Sequence, residues 1–282
     1  SESALKYFIT QALASTIFLF SIISSLNTNE FFNFDSSYYL MMMMNCALLT
    51  KMGAAPFHAW FPEVLEGLNW TNSLIVLTWQ KLAPMVILMY NMKMTIFMSC
   101  IIVFSAAIGG ILGLNQVSLR KIMAYSSINH MGWMIGSMLH SQIIWFIYFI
   151  TYSVITINIV ILFMTTNSFY LKQLFNTMNK NKLVKFFFIL NFLSLGGLPP
   201  FWGFFPKWLT INYLVMNNFL MLSAMLIMST LITLFFYLRI TFSTMVINTN
   251  ESTVFQPETS TFMIILPNLL ALAGLVTCTL VV

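Results

Sequence analysis

Runs of about twenty apolar residues, one after another and parted only by short turns, decide what this chain can become. A hydrocarbon core about 30 Å thick is crossed by about 20 residues of α-helix. Such runs fall at 3–25, 37–57, 71–90, 95–115, 121–139, 142–165, 185–215, 219–242 and 261–282. The chain of 282 residues is 59% hydrophobic and 7% charged, with a mean hydropathy of +0.87. A water-soluble domain carries roughly 25% charged residues, so the solvent of this chain is a bilayer. The polar stretches 167–185 and 248–260 are too short to bury a core of their own. The expected fold is an all-α integral membrane protein, a polytopic helix bundle of about nine spans.

Several chemistries are absent from the pattern. Cys46, Cys100 and Cys278 stand singly in apolar runs, without the spacing of a disulfide framework or a metal site. No glycine-rich phosphate loop appears, so no nucleotide is expected to bind directly. The pI of 9.1 comes from scattered cations rather than a basic face, which excludes a nucleic-acid partner. Asn69-Trp70-Thr71 and Asn250-Glu251-Ser252 fit the glycosylation tripeptide, a pattern common by chance. The 22 Met and 28 Phe are a bias that an AT-rich, mitochondrially encoded gene would write.

Charge sets the orientation. Arg120, Lys121, Lys172, Lys180, Lys182 and Lys185 flank the turns after the fourth and sixth runs, Lys6 and Arg239 fall on the same side, and Lys93 on the other. The basic side faces the cytoplasm or, in a mitochondrion, the matrix. Gly109 with Gly113 and Gly132 with Gly136 have the spacing that lets two helices approach closely.

Three cations remain inside apolar runs: Lys51, Lys81 and Lys207. A lysine at the bilayer centre costs about 3 kcal/mol on insertion scales, so its presence asks for a functional reason. Lys81, in LTWQKLAPM, lies midway along its run. Lys51, in LTKMGAAPFHAWFP, precedes a Gly53–Pro56 interruption, and snorkelling to the interface is its competing explanation. Lys207, in SLGGLPPFWGFFPKWL, stands where the seventh run breaks. Broken backbone at membrane depth is tolerated only against protein or a water-filled cavity. The second and seventh runs cross in opposite directions, and matching interruptions in inverted halves mark a transport site near the midplane.

A buried amine can exchange its proton because desolvation disfavours the charged form. His130, in SSINHMGWM beside Ser126, Ser127 and Asn129, is the candidate bridge, with simple packing as its alternative. His58 is expected to cap local backbone, His140 to be solvated, and Glu63 with Glu66 to form a solvated loop face.

Six blocks carry a family resemblance: SALKYFITQALAST, KMGAAPFHAWFPEVLEGLNW, LTWQKLAPM, LNQVSLRKIMAYSSINHMGWM, LSLGGLPPFWGFFPKWL and STLITLFFYLR. Over most of its length the chain resembles the antiporter-like subunit 2 family of mitochondrial NADH:ubiquinone oxidoreductase, respiratory complex I, insect-type in character. The resemblance implies inverted five-helix repeats with broken helices, here 1–115 as the remainder of a first half-channel, 116–243 as a second, and 244–282 as linker and C-terminal helix. It implies proton translocation across the mitochondrial inner membrane, with Lys51 in the first half-channel, Lys81 as the connecting lysine, Lys207 in the second and His130 between them. The implied partners are other membrane-arm subunits and inner-membrane lipids, with no cofactor and no redox centre in this subunit. The family places a glutamate upstream of SALKYF to pair with the lysine at position 51, and about two N-terminal helices are expected to be absent here. A structural spacer with inert lysines and a stand-alone cation/proton antiporter are the alternatives.

Overall fold

The structure, a computed structural model, describes residues 2–31, 34–92, 95–139, 141–178 and 182–246, together with Asn268. The ninth run and nearly all of 244–282 lie outside the described residues, as do Lys93, His140, Lys180, Asn250 and Cys278. Among the described residues the elements are helices: α1 (Glu2–Phe31), α2 (Phe34–Met52), α3 (Trp60–Gly67), α4 (Trp70–Leu77), α5 (Trp79–Tyr90), α6 (Thr95–Gly113), α7 (Leu119–Met138), α8 (Gln142–Thr166), α9 (Leu171–Met178), α10 (Lys182–Gly196), α11 (Phe204–Met216) and α12 (Leu220–Val246).

Among the described residues five segments are long and apolar enough to cross a membrane by themselves: Glu2–Leu26, Trp70–Tyr90, Thr95–Gly113, Gln142–Thr166 and Leu220–Val246. Of the other expected spans among the described residues, the second and seventh are interrupted and the fifth is polar, and α7 shows how a polar one is accommodated. Every residue from Ser126 to Met138 is buried, because α7 packs against α3, α4, α6, α8, α11 and α12 together. Its polar side chains thus meet protein rather than lipid. The closest of these pairings, α6 on α7, depends on small residues. A Cβ on Gly109 would stand 2.6 Å from the Asn129 backbone nitrogen, and one on Gly132 would stand 2.6 Å from Ser105 Oγ. The two backbones touch only because neither position carries a side chain.

The third run, 71–90, is not the single helix its composition predicts. It breaks at Thr78, which takes φ −116° and ψ −71°. The Thr78 hydroxyl donates to Leu74 O at 2.8 Å, and Pro84 offers no N–H to the Gln80 carbonyl one turn behind it. The basic-side turns are tied to one another. Leu119 N donates to Phe169 O at 2.9 Å, Trp70 Nε1 to Ser168 O at 3.0 Å, and Arg120 Nη1 to Leu68 O at 2.9 Å, with its guanidinium over the Phe169 ring.

The core is two apolar clusters rather than one. The first joins Phe61, Trp70, Ile122, Ile128, Phe163 and Phe188; the second joins Leu48, Met85, Ile102, Met131, Trp145 and Leu226. Along α7 the boundary between them falls between Ile128 and Met131, and along α8 between Tyr152 and Ile155. The seam is where the buried polar groups stand.

Candidate functional site

Lys81 enters the seam from the first turn of α5. Its side chain is 1% exposed. Its Nζ donates to Tyr152 Oη at 3.4 Å, and lies 5.3 Å from the Phe61 ring centre and 5.1 Å from that of Tyr152. Two aromatic faces and one hydroxyl thus replace water around the cation.

His130 occupies the same seam from α7. Its Nδ1 is 2.9 Å from Tyr148 Oη, and its ring centre is 5.2 Å from that of Tyr152. Tyr152 lies between it and Lys81, and Lys207 meets the same helix at Trp133, one turn further along α7. The structure therefore gathers Lys81, His130 and Lys207 into one buried group.

Lys207 is held by the second break. Helix α10 stops at Gly196, Gly197 turns the chain at φ +76°, and α11 starts at Phe204 with Lys207 in its first turn. From there Nζ reaches back to the end of α10, donating to Gly196 O at 2.9 Å and Leu195 O at 3.2 Å. These are carbonyls that the helix end leaves without intrahelical partners. Nζ also lies 5.9 Å from the Trp133 ring centre, whose buried indole N–H has no partner among the described residues. A Cβ on Gly197 would stand 2.7 Å from Lys207 Cδ and 2.8 Å from Nζ. Only glycine leaves room for the amine and tolerates this backbone.

The first break is built in the same register. Gly53 turns the chain at φ +73°, Gly53 N donates to Thr50 O and Ala54 N to Leu49 O, just as Gly197 N donates to Ser194 O and Leu198 N to Leu193 O. Pro56, Phe61 and Pro62 then correspond to Pro200, Phe205 and Pro206. The two lysines do not correspond. Lys51 precedes its break while Lys207 follows its own, and the counterpart of Lys207 in this register is Glu63. The loosened carbonyls of the first break are met by neutral donors, Trp60 Nε1 to Thr50 O at 3.0 Å and Gln11 Nε2 to Lys51 O at 3.2 Å.

Lys51 is half-buried beside α1; its Nζ lies 5.7 Å from the Phe18 ring centre and makes no hydrogen bond or ion pair among the described residues. His58 turns Nδ1 to Pro56 O at 3.2 Å, a local contact. Glu63 pairs with Lys6 at 2.8 Å and Glu66 with Lys121 at 2.8 Å, so both acids are surface ion pairs. The Lys6 hydrogen bond holds the Glu63 carboxyl below the usual carboxylate range. Among the described residues no cluster of His, Cys, Asp or Glu is arranged to hold a metal.

The sequence reading missed the tyrosines of the seam. Tyr148 and Tyr152 sit one turn apart on α8, Tyr237 comes from α12, and all three are buried. Ser126 and Ser127 donate instead to the main chain of their own helix, at Met123 O and Ala124 O. The signal was present: two tyrosines four apart in a largely apolar run share one helix face.

Comparison with known proteins agrees with this architecture. Residues 1–233 match the family described as NADH:quinone oxidoreductase/Mrp antiporter, TM. The NADH-ubiquinone oxidoreductase chain 2 of Anopheles gambiae is 48% identical over 250 residues, covering 88% of this chain and 72% of that one. That of Aedes aegypti is 44% identical over 285 residues, covering 100% and 83%. Among solved structures, respiratory complex I from Thermus thermophilus superimposes with a TM-score of 0.86 at 24% identity, over 98% of this chain and 67% of that one. The Mrp complex from Dietzia sp. DQ12-45-1b gives 0.73 at 16% identity, over 85% and 50%. The two structures speak for the fold; the sequence relatives speak for the lineage. This chain belongs to the antiporter-like membrane subunits of NADH:quinone oxidoreductases, in the line of NADH-ubiquinone oxidoreductase chain 2.

Proposed function

We propose that the chain is a proton-translocating membrane-arm subunit of respiratory complex I in the mitochondrial inner membrane, and that Lys51, Lys81, His130 and Lys207 form its proton relay. NADH-to-ubiquinone electron transfer takes place in other subunits, and this one carries no redox centre, cofactor or nucleotide of its own. Its partners are the neighbouring membrane-arm subunits and the surrounding lipid. The shared register of the two breaks supports a division into half-channels at 1–115 and 116–243.

One observation carries the reading: Lys81, His130 and Lys207 share a seam between two apolar clusters, and the described acids stay outside it. Ammonium groups that were merely structural would be expected to sit against carboxylates, because an unpaired buried charge is costly. Here Lys81 and Lys207 are instead held by a hydroxyl, by carbonyls and by ring faces, partners that also tolerate a neutral amine. A group so placed can lose and regain its proton without breaking an ion pair. The test is Lys81→Ala and Lys207→Ala in the assembled complex, measuring protons translocated per NADH oxidised. Both variants should assemble and pump fewer protons per NADH. Unchanged ratios in both would remove the assignment.

A further inference from the structure

We propose that Tyr7 is a positioning residue for Lys81: its hydroxyl holds Gln80, and through Gln80 it fixes the turn of α5 from which the lysine enters the seam. The inference rests on the reading above, in which Lys81 carries a proton, and adds the group that sets where its amine stands.

The turn that carries Lys81 is weakly held by its own backbone. Thr78 ends α4 and precedes α5, so no continuous helix runs into this turn. The Lys81 amide donates to Thr78 O at 3.3 Å, a closure over three residues instead of the four of an α-helix. On the far side, Pro84 offers no N–H to the Gln80 carbonyl. A turn short of main-chain bonds at both ends takes its orientation from its side chains.

Two side-chain bonds grip it. Lys81 Nζ donates to Tyr152 Oη at 3.4 Å, and the adjacent residue, Gln80, accepts from the Tyr7 hydroxyl through Oε1 at 2.6 Å. The Tyr7 bond is the shorter of the two, and it acts on the residue next to the lysine rather than on the amine itself. It can therefore set the place of Lys81 without competing for its proton.

Tyr7 is the fixed end of this bond. Helix α1 packs along α2 and α3. The Tyr7 ring centre lies 6.0 Å from that of Trp60, whose indole N–H donates to Thr50 O at 3.0 Å. Lys6 pairs with Glu63 of α3 at 2.8 Å. Gln11, one turn after Tyr7 on the same face, donates to Lys51 O at 3.2 Å. These ties anchor α1 to the first break, so the turn at Gln80 is the part that yields when the hydroxyl is lost. One face of α1 thus holds both the break beside Lys51 and the turn of Lys81.

The experiment measures coupled turnover and protons pumped per NADH in the assembled complex in sealed membrane vesicles. The variants are Tyr7→Phe, Gln80→Met, the two together, and Lys81→Ala with and without Tyr7→Phe. Phenylalanine keeps the ring against Trp60 and methionine keeps the length of Gln80, so each removes one end of the bond. Each single change should lower coupled turnover roughly two- to tenfold, the loss that goes with one neutral hydrogen bond. Protons per NADH should fall and the KM for NADH should stay unchanged. The double variant should be no worse than either single one, and Tyr7→Phe should add nothing in the Lys81→Ala background. A normal proton ratio in Tyr7→Phe beside an impaired Lys81→Ala would overturn the positioning role, even with thermal stability reduced, and leave the subunit's function standing. Normal ratios in both would overturn that function as well. Additive losses in the double variant would show that Tyr7 does not act through Gln80 and would also overturn the proposal. Should Tyr7→Phe fail to assemble, Gln80→Met set against Lys81→Ala decides by the same readouts.

Discussion

Replacing Gly197 by alanine is the sharpest test of how the second break holds its lysine. Two costs add. At φ +76° an L-residue is in the left-handed region, which costs roughly 1–2 kcal/mol. The new Cβ would stand 2.7 Å from Lys207 Cδ and 2.8 Å from Nζ, so the amine must move. If it keeps one of its two carbonyls, the lost hydrogen bond to a charged donor costs about 1.5–3 kcal/mol. The sum is about 2.5–5 kcal/mol, with no discount for solvent because Lys207 is 7% exposed. Gly53→Ala is the matched control. It has the same backbone strain at φ +73°, but its Cβ would meet the Phe61 ring at 3.0 Å rather than a lysine. The temperature of thermal inactivation of the assembled complex should therefore fall for both variants and further for Gly197→Ala. Protons pumped per NADH should fall further for Gly197→Ala, because Gly53→Ala reaches a relay lysine only indirectly, through the Phe61 ring beside Lys81. If the two variants behave alike in both assays, the reasoning that Gly197 makes room for the amine is refuted.

Other expectations follow from the same geometry. Gly109→Leu would force a side chain into backbone 2.6 Å away on α7; the overpacking costs about 1–3 kcal/mol or more, and native gels should show less assembled complex. Arg120→Lys keeps the charge but loses the planar group that reaches Leu68 O and covers the Phe169 ring. It should cost about 1–2 kcal/mol of thermal stability and leave pumping per NADH unchanged.

What could be read from the residues was whatever the bilayer forbids. Long apolar runs, the Gly53–Pro56 and Gly196–Pro200 interruptions and three lysines at depth are each exceptions to a strict rule, so each was visible in isolation. The break at Thr78 was not, since it carries neither glycine nor proline and arises from a hydroxyl competing for a carbonyl while Pro84 weakens the following turn. The interruptions beside Lys51 and Lys207 do share a register, with the two lysines at different places in it. Both stand near a break, but the hydrogen-bond register that sets equivalence is a property of the folded turn. Tyr152 was hidden for a further reason: in an aliphatic run a tyrosine reads as an interface anchor or as filler. Only the rotation of α8 against α5 and α7 shows that its hydroxyl meets Lys81.

The reach of Lys207 to the end of α10 means that its counter-ion is main chain. The carbonyl end of a helix carries roughly half a negative elementary charge, and here that end is aimed at the amine. A carboxylate in its place could be neutralised by acid; peptide oxygens cannot. The compensating charge is therefore constant in amount and variable only in distance, and any displacement of α10 along its axis becomes a change in the electric potential that the lysine feels.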